Sequence, residues 1–143
     1  MLQRSCAASH RTTTLVPQLS RRLRLRRGGY TTGVLALNRR VALNEFVKRL
    51  RLGLPGNVVD VRLFGSEVRG EATPESDIDV LVVVEPESER VALEDRVIDI
   101  AFDVNLEFGV YVSPRVITPG ILNHPVWRET PFIKSVSGES IPL

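Results

Sequence analysis

The most constraining feature of the chain is a turn between two apolar runs, followed at a fixed distance by a pair of aspartates. Gly65-Ser66 ends the run Val58–Phe64, and ten residues later Asp77-Ile78-Asp79 leads into the run Ile78–Val84. Short apolar runs rich in β-branched residues predict β-strands. Because residues i and i+2 of a strand point to the same face, the carboxylates of Asp77 and Asp79 are expected side by side.

Each half of this pattern indicates a chemistry. Two neighbouring carboxylates are part of the oxygen ligand set that Mg²⁺ prefers. A Gly-Ser turn between a strand and a helix offers backbone N–H groups, a hydroxyl and close backbone approach, which are the features that hold a phosphate. A metal ion beside a phosphate-binding turn, here called a phosphate cradle, is typical of enzymes that transfer phosphoryl or nucleotidyl groups.

The order Gly-Ser, ten residues, Asp-x-Asp, with Arg69-Gly70 and Ser76 between, closely resembles the minimal nucleotidyltransferases of the DNA polymerase β-like superfamily. The resemblance runs from about Leu35 to the C-terminus and is strongest over residues 61–84. It implies an α/β fold: a mixed β-sheet with helices packed mainly on one face. The implied reaction transfers a nucleoside monophosphate from a metal-bound nucleoside triphosphate to an acceptor hydroxyl.

The resemblance also implies roles for single residues. Asp77 and Asp79 would be catalytic and would ligate Mg²⁺, with a two-metal site as one option. Gly65 and Ser66 would hold the β- and γ-phosphates of ATP or another triphosphate. Arg69 would either neutralise the triphosphate or brace the loop through the aspartates, and the residues leave both options open.

One departure from the family pattern affects catalysis. Active members carry a third carboxylate on the next core strand, whereas residues 109–117 of this chain contain no acid. Four acids recur at intervals of four just before it, on a predicted helix: Asp95, Asp99, Asp103 and Glu107. A solvated helix face is the preferred interpretation, a surface for a basic partner is the second, and a displaced third ligand is the last. The sequence therefore has the pattern for nucleotide binding but lacks the strand carboxylate that active members carry.

The charge of +2 conceals two unlike segments. Residues 1–33 contain seven arginines and no acid, whereas residues 34–143 contain 12 basic and 17 acidic side chains. We expect a basic, unstructured tail over 1–33 and one nucleotidyltransferase domain over 34–143. An organelle presequence, a basic arm for nucleic acid or an acidic partner, and translated sequence ahead of the true start are alternatives for the tail, and the last is preferred.

Hydrophobic periodicity predicts the elements of the domain. We expect a helix over 35–53, a strand over 58–64, a short helix over 67–70, a strand over 78–84, a helix from Glu85-Pro86 to about Leu106, a strand over 110–117, a helical turn from Pro119 and a last helix over 131–136, with 137–143 as a tail.

Partners and location follow from composition and resemblance. No apolar run is long enough for a membrane span, and one cysteine excludes an internal disulfide framework. The two histidines are too few and too far apart in sequence for a zinc site. A cytoplasmic protein is expected, with nucleic acid binding only through residues 1–33 and a homodimer left open.

The leading hypothesis is an enzyme that transfers AMP to a partner protein, as the antitoxin half of a pair with a helical HEPN-type toxin. Few residues follow Asp79, and they are expected to finish the fold rather than to build an acceptor domain. The alternative is a degenerate domain that acts on its partner by contact alone.

Overall fold

The computed structural model describes residues 32–143, with side chains from residue 37 onward. The predictions for the basic segment concern residues 1–33, of which 1–31 lie outside the described part, so the proposed division of the chain at residue 33 stays a prediction. Within residues 32–143, no helix combines the length and apolar character that crossing a membrane requires.

The described chain alternates helices and strands in the predicted order. Short 3₁₀ turns at Glu87–Glu89 and Trp127–Glu129 separate some of them. The helices and strands are α1 (Thr32–Gly53), β1 (Val58–Phe64), α2 (Ser66–Arg69), β2 (Ile78–Val84), α3 (Arg90–Phe108), β3 (Val112–Ile117), α4 (Pro119–Leu122), α5 (Pro131–Glu139) and β4 (Ile141–Pro142).

The strands form one mixed sheet in the order β3-β2-β1-β4. Strand β2 is parallel to β3 and antiparallel to β1, and β4 is antiparallel to β1. The crossover that parallel pairing requires is provided by α3. The predicted α/β class with a mixed sheet is confirmed.

The two faces of the sheet are covered unequally. The long helices α1 and α3 pack on the face to which Ile78, Val80, Val82 and Val84 point, and they build the main core there. On the opposite face, Leu81 and Val83 pack with Phe64, Ile117 and residues of α5 in a smaller cluster. Period-2 alternation along β2 thus places Asp79 on the less covered face. Phe132 of α5 packs edge-on against Phe64, with ring centroids 5.6 Å apart.

Several predicted boundaries differ from the structure, and the differences are largest at two places. The second long helix begins at Arg90 rather than near Pro86, because residues 87–89 form a 3₁₀ turn first. The segment 137–143 is not a plain tail: α5 continues to Glu139, and β4 pairs with Arg62 and Leu63 of β1. A strand of two residues carries no periodic pattern, so its pairing depends on contacts distant in sequence, such as the bond from the backbone N–H of Leu143 to the carbonyl of Val61.

Candidate functional site

The Gly65-Ser66 turn is shaped by its contact with Asp79. Gly65 has φ 77° and ψ −150°, a backbone conformation that is strongly disfavoured for residues with a Cβ atom. A Cβ atom built on Gly65 would lie 2.4 Å from Oδ2 of Asp79. Only glycine therefore allows the Asp79 carboxylate to lie against the turn, and Ser66 begins the short helix α2 at that point.

The two aspartates lie at the start of β2, as predicted. Asp77 is exposed and immediately precedes the strand, whereas Asp79 is its second residue, is half-buried and pairs with Phe64 at the end of β1. The end of β1, with the turn that follows it, and the start of β2 meet at one edge of the sheet. The structure thus brings Gly65, Ser66, Asp77 and Asp79 together.

The aspartates influence one another electrostatically. Burial raises the pKa of the Asp79 carboxyl above its usual range, and the negative charge of Asp77 raises it further, while Arg115 and Arg69 act in the opposite direction. A site that disfavours two adjacent negative charges is one that a cation stabilises. The arrangement therefore favours a positively charged ligand between or beside the carboxylates.

Strand β3 borders the aspartates on the side away from the turn. Ser113 pairs with Asp79 and Arg115 pairs with Leu81, so both project from the same face as Asp79. A serine thus stands directly beside Asp79 on β3, and the nearest charged residue along that face of the strand is the cation Arg115.

Arg69 has protein partners of its own. Its Nε donates to Oε2 of Glu71 at 3.0 Å, and its Nη1 lies 3.8 Å from Oε2 of Glu139. These carboxylates raise the pKa of the guanidinium, the hydrogen bond to Glu71 most of all, and Asp79 adds a weaker attraction. Of the two options for Arg69, bracing the loop is the one that these contacts support, although its partners are Glu71 and Glu139 rather than the aspartates.

Arg39 is a site residue that the sequence did not predict. It lies on α1, and its side chain is only 11% exposed. Its guanidinium pairs with Glu67 of α2, and its Nη1 donates to the backbone carbonyl of Ser76 at 2.9 Å. Arg39 therefore ties together the turn and the loop that ends at Asp77. No local signal distinguishes it from Arg40, because both lie in one polar stretch of a helix.

The acidic stripe of α3 is separate from the site. Its four members are exposed, and Glu107 pairs with Arg49. The helix packs through Val97, Ala101 and Val104 on the face of the sheet opposite to Asp79. The interpretation of a displaced third metal ligand was therefore wrong, since the sheet lies between the stripe and the aspartates.

The donor set at the site fits a magnesium ion completed by a substrate. Within residues 37–143, no cluster of three or more histidine, cysteine, aspartate or glutamate side chains has the arrangement of a metal cage. Mg²⁺ is commonly held by one or two carboxylates together with substrate phosphates and water. Asp77 and Asp79 offer the carboxylates, and the exposed position of Asp77 leaves room for the remaining ligands.

Comparison with known proteins places this geometry in a family. A model of the "Nucleotidyltransferase domain" matches residues 42–136. Two proteins of Methanocaldococcus jannaschii, both named "Putative protein adenylyltransferase", are 33% identical over 63% of this chain and 84% of the relative, and 35% identical over 71% of this chain and 94% of the relative.

A solved structure shows the same fold. A crystal structure described as a "putative nucleotidyltransferase" from Sulfolobus solfataricus covers 80% of this chain and 86% of that chain, with 20% identity and a TM-score of 0.51. A structure described as a toxin–antitoxin with AMP-PNP covers 69% of each chain at 19% identity, with a TM-score of 0.42.

Proposed function

The chain belongs to the nucleotidyltransferase domain family, and from that premise we propose that it transfers AMP from ATP to a hydroxyl group of a partner protein. The observation that supports the proposal is the contact between Gly65 and Asp79, because it brings the strand–turn–helix segment against one of the two neighbouring carboxylates. The names of the relatives from Methanocaldococcus jannaschii support a protein as the acceptor and adenylate as the transferred group.

In the proposed reaction, each residue acts on a different part of the nucleotide. Gly65 and Ser66 would bind the β- and γ-phosphates, and Asp77 and Asp79 would hold the Mg²⁺ ion that accompanies the triphosphate. Mg²⁺, when bound, supplies positive charge that stabilises the phosphate oxygens. The acceptor oxygen forms a bond to the α-phosphorus, the bond from that phosphorus to the bridging oxygen breaks, and pyrophosphate leaves with the electron pair. The hydroxyl proton passes to water.

A thermal-melt titration tests the nucleotide site. Wild type is expected to gain stability with ATP and Mg²⁺ together, by about 2.7 kcal/mol at a ligand concentration about 100 times the dissociation constant. The variant Asp77→Asn/Asp79→Asn keeps the shape of both side chains and removes their charge, so its Mg²⁺-dependent gain should be lost. Equal gains in wild type and variant would refute the assignment of these aspartates.

We further propose that the acceptor is a helical, HEPN-type toxin and that the chain is its antitoxin. The resemblance of residues 61–84 to minimal nucleotidyltransferases motivates this choice. The test is incubation of the purified chain with its co-encoded neighbour, labelled ATP and Mg²⁺, followed by mass spectrometry of the neighbour. A neighbour that gains no mass of one adenylate, while the ATP titration succeeds, would leave the nucleotide site standing and exclude this acceptor.

A second function has one observation in its favour. Ser113 occupies the β3 position beside Asp79 and Arg115 the next position on the same face, so the third carboxylate of the family pattern is missing there. A domain without catalysis would protect against its partner by contact alone. Cells that carry the Asp77→Asn/Asp79→Asn variant would then remain protected, whereas an enzymatic antitoxin would lose protection with both charges.

A further inference from the structure

Arg115 lies on the open side of the aspartate pair. Across the sheet, Phe64 of β1, Asp79 of β2 and Ser113 of β3 stand in one row, and the Gly65-Ser66 turn follows Phe64. Arg115 is two residues beyond Ser113, a distance of roughly 6.6 Å along the strand, and it points to the same face. The turn and Arg115 therefore flank Asp79 from opposite sides.

The guanidinium of Arg115 is available to a ligand. Among residues 37–143, each other arginine and lysine except Arg40 contacts a carboxylate or a backbone carbonyl. Arg69, the other cation near Asp79, is engaged by Glu71 and Glu139. Arg115 is exposed and has no such partner in that part of the chain, and it lies on the strand next to Asp79, on the same face of the sheet.

The order of groups across the sheet indicates which part of a nucleotide Arg115 meets. A triphosphate that has its distal phosphates at the turn and runs along the row from Phe64 past Asp79 to Ser113 would bring its α-phosphate towards β3. We propose that Arg115 binds the reacting α-phosphate, and this inference rests on the proposed function. A guanidinium is suited to this task because its planar fork binds phosphate oxygens in pairs.

The charge balance of the site agrees with this role. A carboxylate at this edge would have to recruit a divalent cation, and the two together would add a single positive charge. One guanidinium adds the same charge directly. Arg115 therefore supplies to the α-phosphate the charge that a second metal ion supplies in two-metal sites.

The experiment compares two ligands that share only the distal phosphates. Calorimetric titration in the presence of Mg²⁺ gives the dissociation constants of pyrophosphate and of an ATP analogue with a methylene bridge between the α- and β-phosphates. Wild type, Arg115→Ala, Arg115→Lys and Arg40→Ala are measured. Arg40 is the matched control, because it is also an exposed arginine without a carboxylate partner in residues 37–143, and it lies on α1 at the other face of the sheet.

Arg115→Ala is expected to raise the dissociation constant of the ATP analogue by about tenfold or more and to change that of pyrophosphate by less than about twofold. The affinity of Arg115→Lys for the ATP analogue should lie between those of wild type and Arg115→Ala, since lysine keeps the charge and loses the planar fork. Arg40→Ala should bind both ligands like wild type. If Arg115→Ala binds both ligands like wild type, or loses affinity for both equally, the inference is overturned and the proposed function is left intact. A wild type that binds neither ligand refutes both.

Discussion

Arg39 on the first helix forms an ion pair with Glu67 on the short helix that follows the Gly65-Ser66 turn. The same guanidinium donates to the carbonyl of Ser76, one residue before Asp77. One side chain of α1 therefore holds both α2 and the loop that precedes Asp77. The relative position of the phosphate cradle and the carboxylates depends on this connection.

Substitution of Arg39 should lower both stability and nucleotide affinity. Arg39→Ala removes charge-assisted hydrogen bonds that are mostly shielded from water, and we expect the free energy of unfolding to fall by about 1.5–3 kcal/mol. Urea denaturation measures that loss, and titration with ATP and Mg²⁺ measures the affinity. Arg40→Ala, on the exposed side of the same helix turn, should change neither, and a similar effect of both variants would contradict the role given to Arg39.

Gly65→Ala should abolish nucleotide binding through a collision rather than through general destabilisation. The new methyl group would lie 2.4 Å from Oδ2 of Asp79, so the carboxylate or the turn has to move. Gly70→Ala is the control, because Gly70 also has a positive φ, 71°, but a Cβ there meets nothing within 4 Å.

Both glycine variants are expected to lose about 1–3 kcal/mol of stability from backbone strain. Only Gly65→Ala should lose the stabilisation that ATP and Mg²⁺ give in a thermal melt. If Gly70→Ala lost it to the same extent, strain in α2 and not the contact with Asp79 would control binding.

The pKa of Asp79 predicts the pH dependence of stability in metal-free buffer. In the folded protein the pKa of the Asp79 carboxyl lies above its usual value of 3.8, because burial and the negative charge of Asp77 disfavour ionisation. The folded state therefore binds more protons than the unfolded chain once the pH exceeds that value, and the free energy of unfolding falls as the pH rises. Asp79→Asn cannot ionise and should be more stable than wild type at neutral pH.

The difference between Asp79→Asn and wild type should shrink in acid, where the carboxyl of the wild type is protonated. Melting temperatures measured from neutral pH down to the acid limit of folding test this. Asp77→Asn should give a smaller gain at neutral pH, since it removes only the charge that Asp77 places on Asp79. A difference between Asp79→Asn and wild type that stays constant across the whole pH range would contradict the assignment.

Ser113→Asp should create a site for an additional divalent cation. The new carboxylate would stand directly beside Asp79 in the parallel pair of β2 and β3. Three adjacent carboxylates repel, so the melting temperature should fall by a few degrees without metal and recover with Mg²⁺. Ser113→Asn has nearly the same shape without the charge and should respond to Mg²⁺ like wild type; an equal response of both variants would argue against the proximity of residue 113 to the metal site.

The sequence predicted the parts of the site that are close in the chain. The Gly-Ser turn, the spacing to Asp77 and Asp79, and both flanking strands follow from local periodicity and turn chemistry, and the structure has them at the predicted positions. The mixed sheet could be predicted because the motif resembled a known family. These features depend on residues within about one supersecondary unit of each other.

The features that sequence reasoning missed depend on distant residues. Arg39 acquires its role only when α1 packs beside α2, and Arg115 only when β3 aligns with β2. Strand β4 exists because the end of the chain meets β1, where Arg62 donates to the hydroxyl of Ser140 at 2.6 Å. Composition and periodicity carry no record of such pairings, since each of these residues also suits an ordinary surface position.

The alternation of side chains along β2 separates the aspartate pair from the main core. Val80 and Val82 pack against the long helices, whereas the side chain of Asp79 lies on the opposite face of the same strand. The main core and the long helices can therefore stay the same while the carboxylates change during evolution. A descendant that replaces Asp77 and Asp79 keeps its shape and any surface by which a partner recognises it, so these two residues distinguish silent from active relatives.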